Sequence, residues 1–325
     1  MSLNVVLVGL GMMGRNHARI LDTLENVNMV GIVDSISKDE QIKTKVYETI
    51  QEIDLDDVDY CVVATPTITH EPIAKYFLEK HIPLLIEKPI AHDVEAAKRI
   101  VKIAQDLNVV CGVGHIERYN AALQEAKRYL DKGFLGKIYQ ISTCRQGPFP
   151  SRVSDVGVIK DLATHDIDTT RWLVDSNYKS VSSNVAHITG RKFEDLVITT
   201  GEMENGVIVN HVVNWVSPLK ERKTVITGES GTFVVDTISS DLVFYENGSH
   251  SINNDFLAHF KGMTQGNITS FAFSKPEALL TEHQDFRDAL LNKANKIVTM
   301  KEGLENLIVA EAMIESAASK VVVNL

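Results

Sequence analysis

Val5-Val6-Leu7-Val8-Gly9-Leu10-Gly11-Met12-Met13-Gly14 decides the fold of this chain. The apolar run has strand length and is rich in β-branched residues, with no polar alternation. Such a strand is buried on both faces, which implies a parallel sheet. The run ends in G-x-G-x-x-G and continues with helical spacing of Ala18, Leu21 and Leu24 from Met13 onward. Each glycine has a physical reason: a tight turn, a close approach of pyrophosphate to backbone, and a helix packed close to its strand. The exposed amides and the dipole of the following helix would hold an anion. The glycine pattern alone also fits a turn that binds nothing. The strand before it, the helix after it and Asp34 at the end of the second strand-like run, Met29–Val33, favour a dinucleotide loop. Gly9, Gly11, Met12, Met13 and Gly14 are then the cradle. A carboxylate at 34 suits a ribose 2′-hydroxyl and repels a 2′-phosphate, so NAD is expected and NADP less so.

Outward from that stretch, strand-like and helical segments alternate. Strands are expected at Tyr60–Ala64, Pro83–Ile86 and Val109–Val113, and helices at Glu71–Lys80 and Val94–Leu107, with a weaker βα unit over Lys45–Leu55. This is the grammar of a doubly wound parallel sheet, a Rossmann domain over 1–120. After a helix at Ala121–Leu130 the grammar changes. A strand-like segment covers Lys137–Thr143, and an irregular stretch runs from Arg145 to Val158. A helix follows near Asp161–Val174, and six strand-length segments then lie between Ser180 and Tyr245, separated by short turns. Short turns between neighbouring strands mean an antiparallel sheet. Two helices, near Glu277–Asn292 and Lys301–Ala318, close the chain. The expected second domain, 121–325, is an α/β unit on a large, mostly antiparallel sheet for substrate binding and oligomerisation. Apolar residues on both faces of its strands, Val207, Val209 and Val213 against Ile208 and Val212, suggest a homo-oligomer, a dimer or tetramer.

Composition narrows the partners. The 325 residues are 44% apolar and 23% charged, as in ordinary globular proteins. The formal charge of −10 argues against a broad nucleic-acid footprint. No apolar run reaches membrane-spanning length, and the amino terminus lacks a basic n-region before Arg15, so neither a membrane span nor a signal peptide is expected. Cys61, Cys111 and Cys144 form no C-x-x-C and read as core residues of a reduced, cytoplasmic protein.

Three further motifs carry chemistry. Thr65-Pro66 follows the Tyr60–Ala64 strand at the carboxyl edge, where ligands of such sheets lie. It reads equally as a plain turn and as a cofactor contact. Glu87-Lys88-Pro89 closes the next strand, and an ammonium fixed there could stabilise charge developing on a substrate oxygen. Taken by itself, Lys88 reads as a surface lysine at a strand end. Asp161-x-x-x-His165 tips the balance: residues four apart share a helix face, and a histidine beside a carboxylate can take a proton from an alcohol. An incidental histidine and half of a metal site are the competing readings. With no cysteine or second histidine close by, no metal is expected.

Together, Gly9-x-Gly11-x-x-Gly14, Ala64-Thr65-Pro66 with His70 behind it, Glu87-Lys88-Pro89 and Asp161-x-x-x-His165-Asp166-Ile167-Asp168 resemble the Gfo/Idh/MocA oxidoreductases over essentially the whole chain. The resemblance implies catalytic roles for Lys88, Asp161 and His165. It also implies cofactor contacts from Thr65, Pro66, His70, Glu87 and Lys88 besides the cradle. Gly114-His115-Ile116-Glu117-Arg118-Tyr119-Asn120 and Arg145-Gln146-Gly147-Pro148-Phe149-Pro150-Ser151-Arg152 look like the branch that includes UDP-N-acetylglucosamine 3-dehydrogenases. Candidate substrate residues are therefore His115, Arg118, Tyr119, Asn120, Arg145 and Arg152, the arginines suiting a sugar nucleotide's diphosphate. The same cations also read as solvated loop residues paired with Asp155 or Asp161. A dehydrogenase of free sugars or inositols and a non-catalytic NAD-binding regulator remain the alternatives.

Overall fold

The computed structural model describes residues 2–35, 43–150, 156–248, 264–293 and 295–325. In chain order the first third holds β1 (Leu3–Val8), α1 (Met12–Leu21), β2 (Val27–Val33), β3 (Val46–Tyr47), β4 (Tyr60–Val63), α2 (His70–Leu78), β5 (Leu84–Glu87), α3 (Val94–Asp106) and β6 (Cys111–Gly114). The middle holds α4 (Ala121–Leu130), β7 (Ile138–Pro148), α5 (Thr164–Val174), β8 (Tyr178–Ala186), β9 (Leu196–Met203), β10 (Ile208–Asn214), β11 (Val216–Gly228), β12 (Gly231–Asp236), β13 (Asp241–Gly248) and β14 (Thr264–Ser270). The chain closes with α6 (Ala278–Leu290), α7 (Met300–Ser319) and β15 (Val323–Asn324).

Two compact units form: Met1–Tyr119 with Pro276–Glu311, and Asn120–Lys275 with Ala312–Leu325. The first break falls at 119/120, but the continuous second domain expected over 121–325 is interrupted, because Pro276–Glu311 returns to the first unit. That segment is held by apolar packing. Phe286 of α6 is buried with Tyr60 and Leu85, and Met300 and Leu307 of α7 join the cluster around Ile86 and Val113.

The first unit is a six-stranded parallel sheet in the order β3-β2-β1-β4-β5-β6. Strands β4 and β5 are buried at every position, in keeping with their apolar runs Tyr60–Val63 and Leu84–Ile86. Strand order reverses between β1 and β4, and ligands of such sheets bind outside the carboxyl ends at that point. The βα unit expected over Lys45–Leu55 reduces to the two-residue β3 and a 3₁₀ turn at Ile50–Glu52.

The second unit is a nine-stranded sheet, β14-β13-β12-β11-β7-β10-β9-β8-β15, antiparallel except where β10 runs parallel to β7. One face is buried, with Ile141, Val197, Val209, Val213, Ile226 and Phe233 turned inward. Ile198, Ile208 and Ile268 are exposed. Two expectations change here. The stretch from Arg145 is not irregular, because β7 continues through Pro148, and β14 is an additional edge strand.

Candidate active site

In the first unit β1 runs directly into the glycine loop. Gly9 has φ of +100°, and a Cβ there would stand 2.5 Å from the Ala64 carbonyl oxygen. A Cβ on Gly14 would collide with the carbonyl of Gly9, so helix and loop close only without side chains. Gly11, the N-cap of α1, has open space around its missing Cβ and no side chain capping it. The cradle is thus packed shut behind and open in front, where backbone amides can meet a pyrophosphate. Asp34 Oδ2 accepts a hydrogen bond from the Leu10 amide at 2.6 Å, which fixes the carboxylate against the loop. These features fit a dinucleotide.

Behind the cradle, polar residues brace the neighbouring turns. His70 is buried, with Nε2 3.0 Å from the Thr65 carbonyl and Nδ1 3.0 Å from the Pro89 carbonyl. Burial lowers its pKa, and the one N–H of a neutral ring donates to one of these two carbonyls while the ring packs between the Thr65-Pro66 turn and the turn after β5. His70 is therefore a brace between the two turns. Glu87, also buried, accepts from the Lys88 amide at 3.1 Å through Oε2 and faces His17 Nε2 at 2.9 Å through Oε1. Lys88 itself is half-buried, with a cis peptide bond to Pro89.

The expected substrate residues after β6 are turned inward. Arg118 Nη1 donates to Glu302 Oε1 at 2.7 Å, Tyr119 OH donates to Asp285 Oδ2 at 3.2 Å, and His115 Nε2 lies 3.3 Å from Asn306 Nδ2. All three partners come from the returning segment, so these side chains dock it. Asn120, in the second unit, caps α4 by accepting from the Ala122 amide at 3.0 Å and donates to the Thr237 carbonyl. All four side chains thus bond to groups of the protein itself.

In the second unit a single π-helical turn, Ile159–Ala163, precedes α5. Such turns are frequent at functional sites. Asp161 in that turn is buried, and His165 on the next is half-buried with its Nδ1 wholly covered. Glu194 fixes the entry: its Oε1 accepts from the Ile159 amide at 3.0 Å and its carbonyl from the Val158 amide at 3.1 Å. Below α5, Asp166 Oδ2 accepts from Arg145 Nε at 3.0 Å, both buried. Arg145 is thus a core ion-pair partner on β7, contrary to its expected place in a substrate loop. Beside it, His211 is buried between Thr143 Oγ1 at 2.8 Å and Tyr178 OH at 2.6 Å. Burial, and then the Arg145 charge, push its pKa down to about 4. Arg152 lies outside the described residues. Among those described, no cluster could hold a metal ion and no helix is long and apolar enough to cross a membrane.

Residues 3–115 match the Gfo/Idh/MocA oxidoreductase family's NAD-binding Rossmann fold, and residues 123–234 match that family's C-terminal domain. The chain belongs to the Gfo/Idh/MocA family. It is an NAD-binding oxidoreductase acting on a CH–OH group. A family relative, UDP-N-acetylglucosamine 3-dehydrogenase of Acidithiobacillus ferrooxidans, is 26% identical over 87% of both chains. The scyllo-inositol 2-dehydrogenase (NAD(+)) of Bacillus subtilis is also 26% identical, over 95% of this chain and 92% of its own. The solved structure of the Acidithiobacillus enzyme shares the Gfo/Idh/MocA fold with a TM-score of 0.86, 23% identity and 98% coverage of each chain.

The sequence reading missed His17, His283 and Glu194. His17 had a signal: it follows Gly14 by one helical turn and so lies on the face of α1 that packs inward. Glu194 had none, because its partners are backbone amides of another segment.

Proposed function

We propose that this protein is an NAD-dependent dehydrogenase oxidising a secondary hydroxyl of a pyranose, carried as a nucleotide sugar such as UDP-N-acetylglucosamine. His165 carries the reading. Its Nδ1 is covered, which leaves Nε2 as the ring atom to take the hydroxyl proton, and the Asp161 carboxylate one turn earlier favours the charged imidazolium electrostatically. The Lys88 ammonium is suited to stabilising negative charge that develops on a substrate oxygen. NAD, when bound, supplies the hydride acceptor. Asp34 meets the adenosine ribose, and the glycine cradle meets the pyrophosphate.

The nucleotide-sugar substrate is supported by likeness to the Acidithiobacillus enzyme over most of both chains. A free inositol or sugar is the second reading. It is favoured by the equal identity to the inositol enzyme and by the Arg145–Asp166 pair, which leaves Arg152 as the main candidate for a diphosphate. A non-catalytic regulator would have no use for a proton acceptor at 165. Rates of NAD reduction with UDP-sugars, free sugars and inositols separate the three: turnover of UDP-sugars alone, of free polyols, or of nothing. We further propose that the enzyme works in the cytoplasm, all three cysteines being free thiols, and as a dimer or tetramer through the exposed sheet face. Fractionation finding it outside the cytoplasm would contradict the first, and a solution mass of one 36.1 kDa chain the second.

A further inference from the structure

A chain of three buried ionisable groups runs beneath the cradle, entirely within the first unit. Glu87 Oε1 lies 2.9 Å from His17 Nε2, and His17 Nδ1 lies 2.8 Å from His283 Nε2. The two rings meet edge to face, 5.0 Å between centroids. Glu87 ends β5, His17 stands on the inward face of α1, and His283 comes from α6 in the returning segment. The carboxylate has no room to move: its Oε2 accepts from the Lys88 amide, and a Cβ on Gly114 of β6 would stand 3.2 Å from its carboxyl carbon.

The hydrogen-bond roles follow from the partners. An ionised Glu87 only accepts, so His17 Nε2 carries a proton. A neutral His17 then accepts at Nδ1 from His283 Nε2–H, leaving His283 Nδ1 as a buried acceptor with no partner. An added proton would reverse the second bond and leave a buried N–H on His283 without an acceptor, the costlier orphan. Burial, and then the neighbouring His17, hold His283 well below its ordinary pKa. Burial alone would raise Glu87, but the hydrogen bond from His17 and the nearby Lys88 charge hold it below the usual carboxylate range. The chain therefore carries one negative charge and no extra proton.

We propose that His17 and His283 are positioning residues acting through Glu87, whose fixed negative charge beside the dinucleotide loop makes the protein bind cationic NAD⁺ more tightly, relative to neutral-ring NADH, than it would without that charge. The inference rests on NAD binding at the cradle and is independent of the sugar. At an effective dielectric of about 20, two unit charges about 10 Å apart interact by enough to change an affinity on the order of tenfold. A tenfold change in the NAD⁺-to-NADH affinity ratio displaces the bound couple's potential by about 30 mV.

The test measures dissociation constants of NAD⁺ and NADH for the full chain by calorimetry. Glu87→Gln keeps the shape and removes the charge; NAD⁺ should weaken about tenfold more than NADH. His17→Leu should do the same, since the buried carboxylate loses its donor and protonates. His17→Gln restores an N–H donor toward Glu87 and should bring the ratio back within about twofold of the unaltered protein. His283→Leu should shift it in the same direction, by less. A Glu87→Gln ratio within about twofold of the unaltered protein, equal weakening of both cofactors, or a His17→Gln protein indistinguishable from His17→Leu would overturn the proposal. Should His17→Leu fail to fold, the near-isosteric Glu87→Gln decides alone.

Discussion

The two units spend their buried polar groups in opposite ways. In the first, strands β4 and β5 are apolar up to Glu87 at the end of β5, and polarity gathers at the carboxyl edge in the buried His70 and Glu87 and the half-buried Asp34 and Lys88. In the second, polar groups lie within the covered sheet face itself: Thr143, Arg145 and His211 on the strands, with Asp166 and Asp168 above them on α5. A parallel sheet covered on both sides has only its ends to offer a ligand. A helix laid on an antiparallel sheet has no such fixed end. Directional hydrogen bonds and an ion pair then set its rotation, and with it the direction of His165. The first unit holds its chemistry by loop geometry, the second by a buried polar layer.

The comparison breaks most visibly at the chemistry. Lys88→Ala and His165→Ala should each lower turnover by roughly 10²–10⁴-fold, the range for a positioned electrostatic or acid–base group. In His165→Ala, NAD affinity and the unfolding midpoint should stay nearly unchanged, because His165 does not belong to the bracing described above. Near-normal steady-state rates in His165→Ala would remove it as the base.

The buried layer should show the reverse pattern. Arg145→Ala leaves Asp166 buried without its cation and should cost about 3–5 kcal/mol of stability, read by denaturant unfolding. A substrate ligand would instead lose kcat/KM at unchanged stability, and that result would return Arg145 to the binding site. A smaller effect comes from acid. His211 has a folded pKa of about 4, below its unfolded value near 6.5. The unfolded chain binds the proton more readily, so this contribution is complete above pH 6.5 and is lost as pH falls toward 4. It amounts to roughly 3 kcal/mol at most. His211→Gln should flatten the fall in stability across that window, and an unchanged slope would show that other groups govern it.

What could be read from sequence divides along the same line. The first unit's loop, its parallel strands and Asp34 are legible because each is a local pattern with its own geometric cause. The return of Pro276–Glu311 to that unit is not, since periodicity marks a helix as amphipathic without naming what it packs on. Nor does polar identity reveal the internal partners of His115, Arg118, Tyr119 and Asn120, whose side chains bond to Asp285, Glu302 and Asn306 far along the chain or cap α4. The strand through Arg145 is hidden by the glycine and prolines that follow it, and by an inward position filled with a charge. His17 looks incidental until Glu87 and His283 are brought to either side of it.

The central proposal is that the protein carries out NAD-dependent oxidation of a sugar hydroxyl on a nucleotide sugar. The most direct test is the initial rate of NAD reduction, followed by nicotinamide absorbance, with UDP-N-acetylglucosamine, free N-acetylglucosamine and inositol offered separately at equal concentration. The account predicts reduction with the UDP-sugar, little with the other two, and loss of the signal in Lys88→Ala. Equal or faster reduction with inositol or the free sugar would contradict the nucleotide-sugar assignment, and no reduction with any sugar or polyol would contradict the dehydrogenase itself.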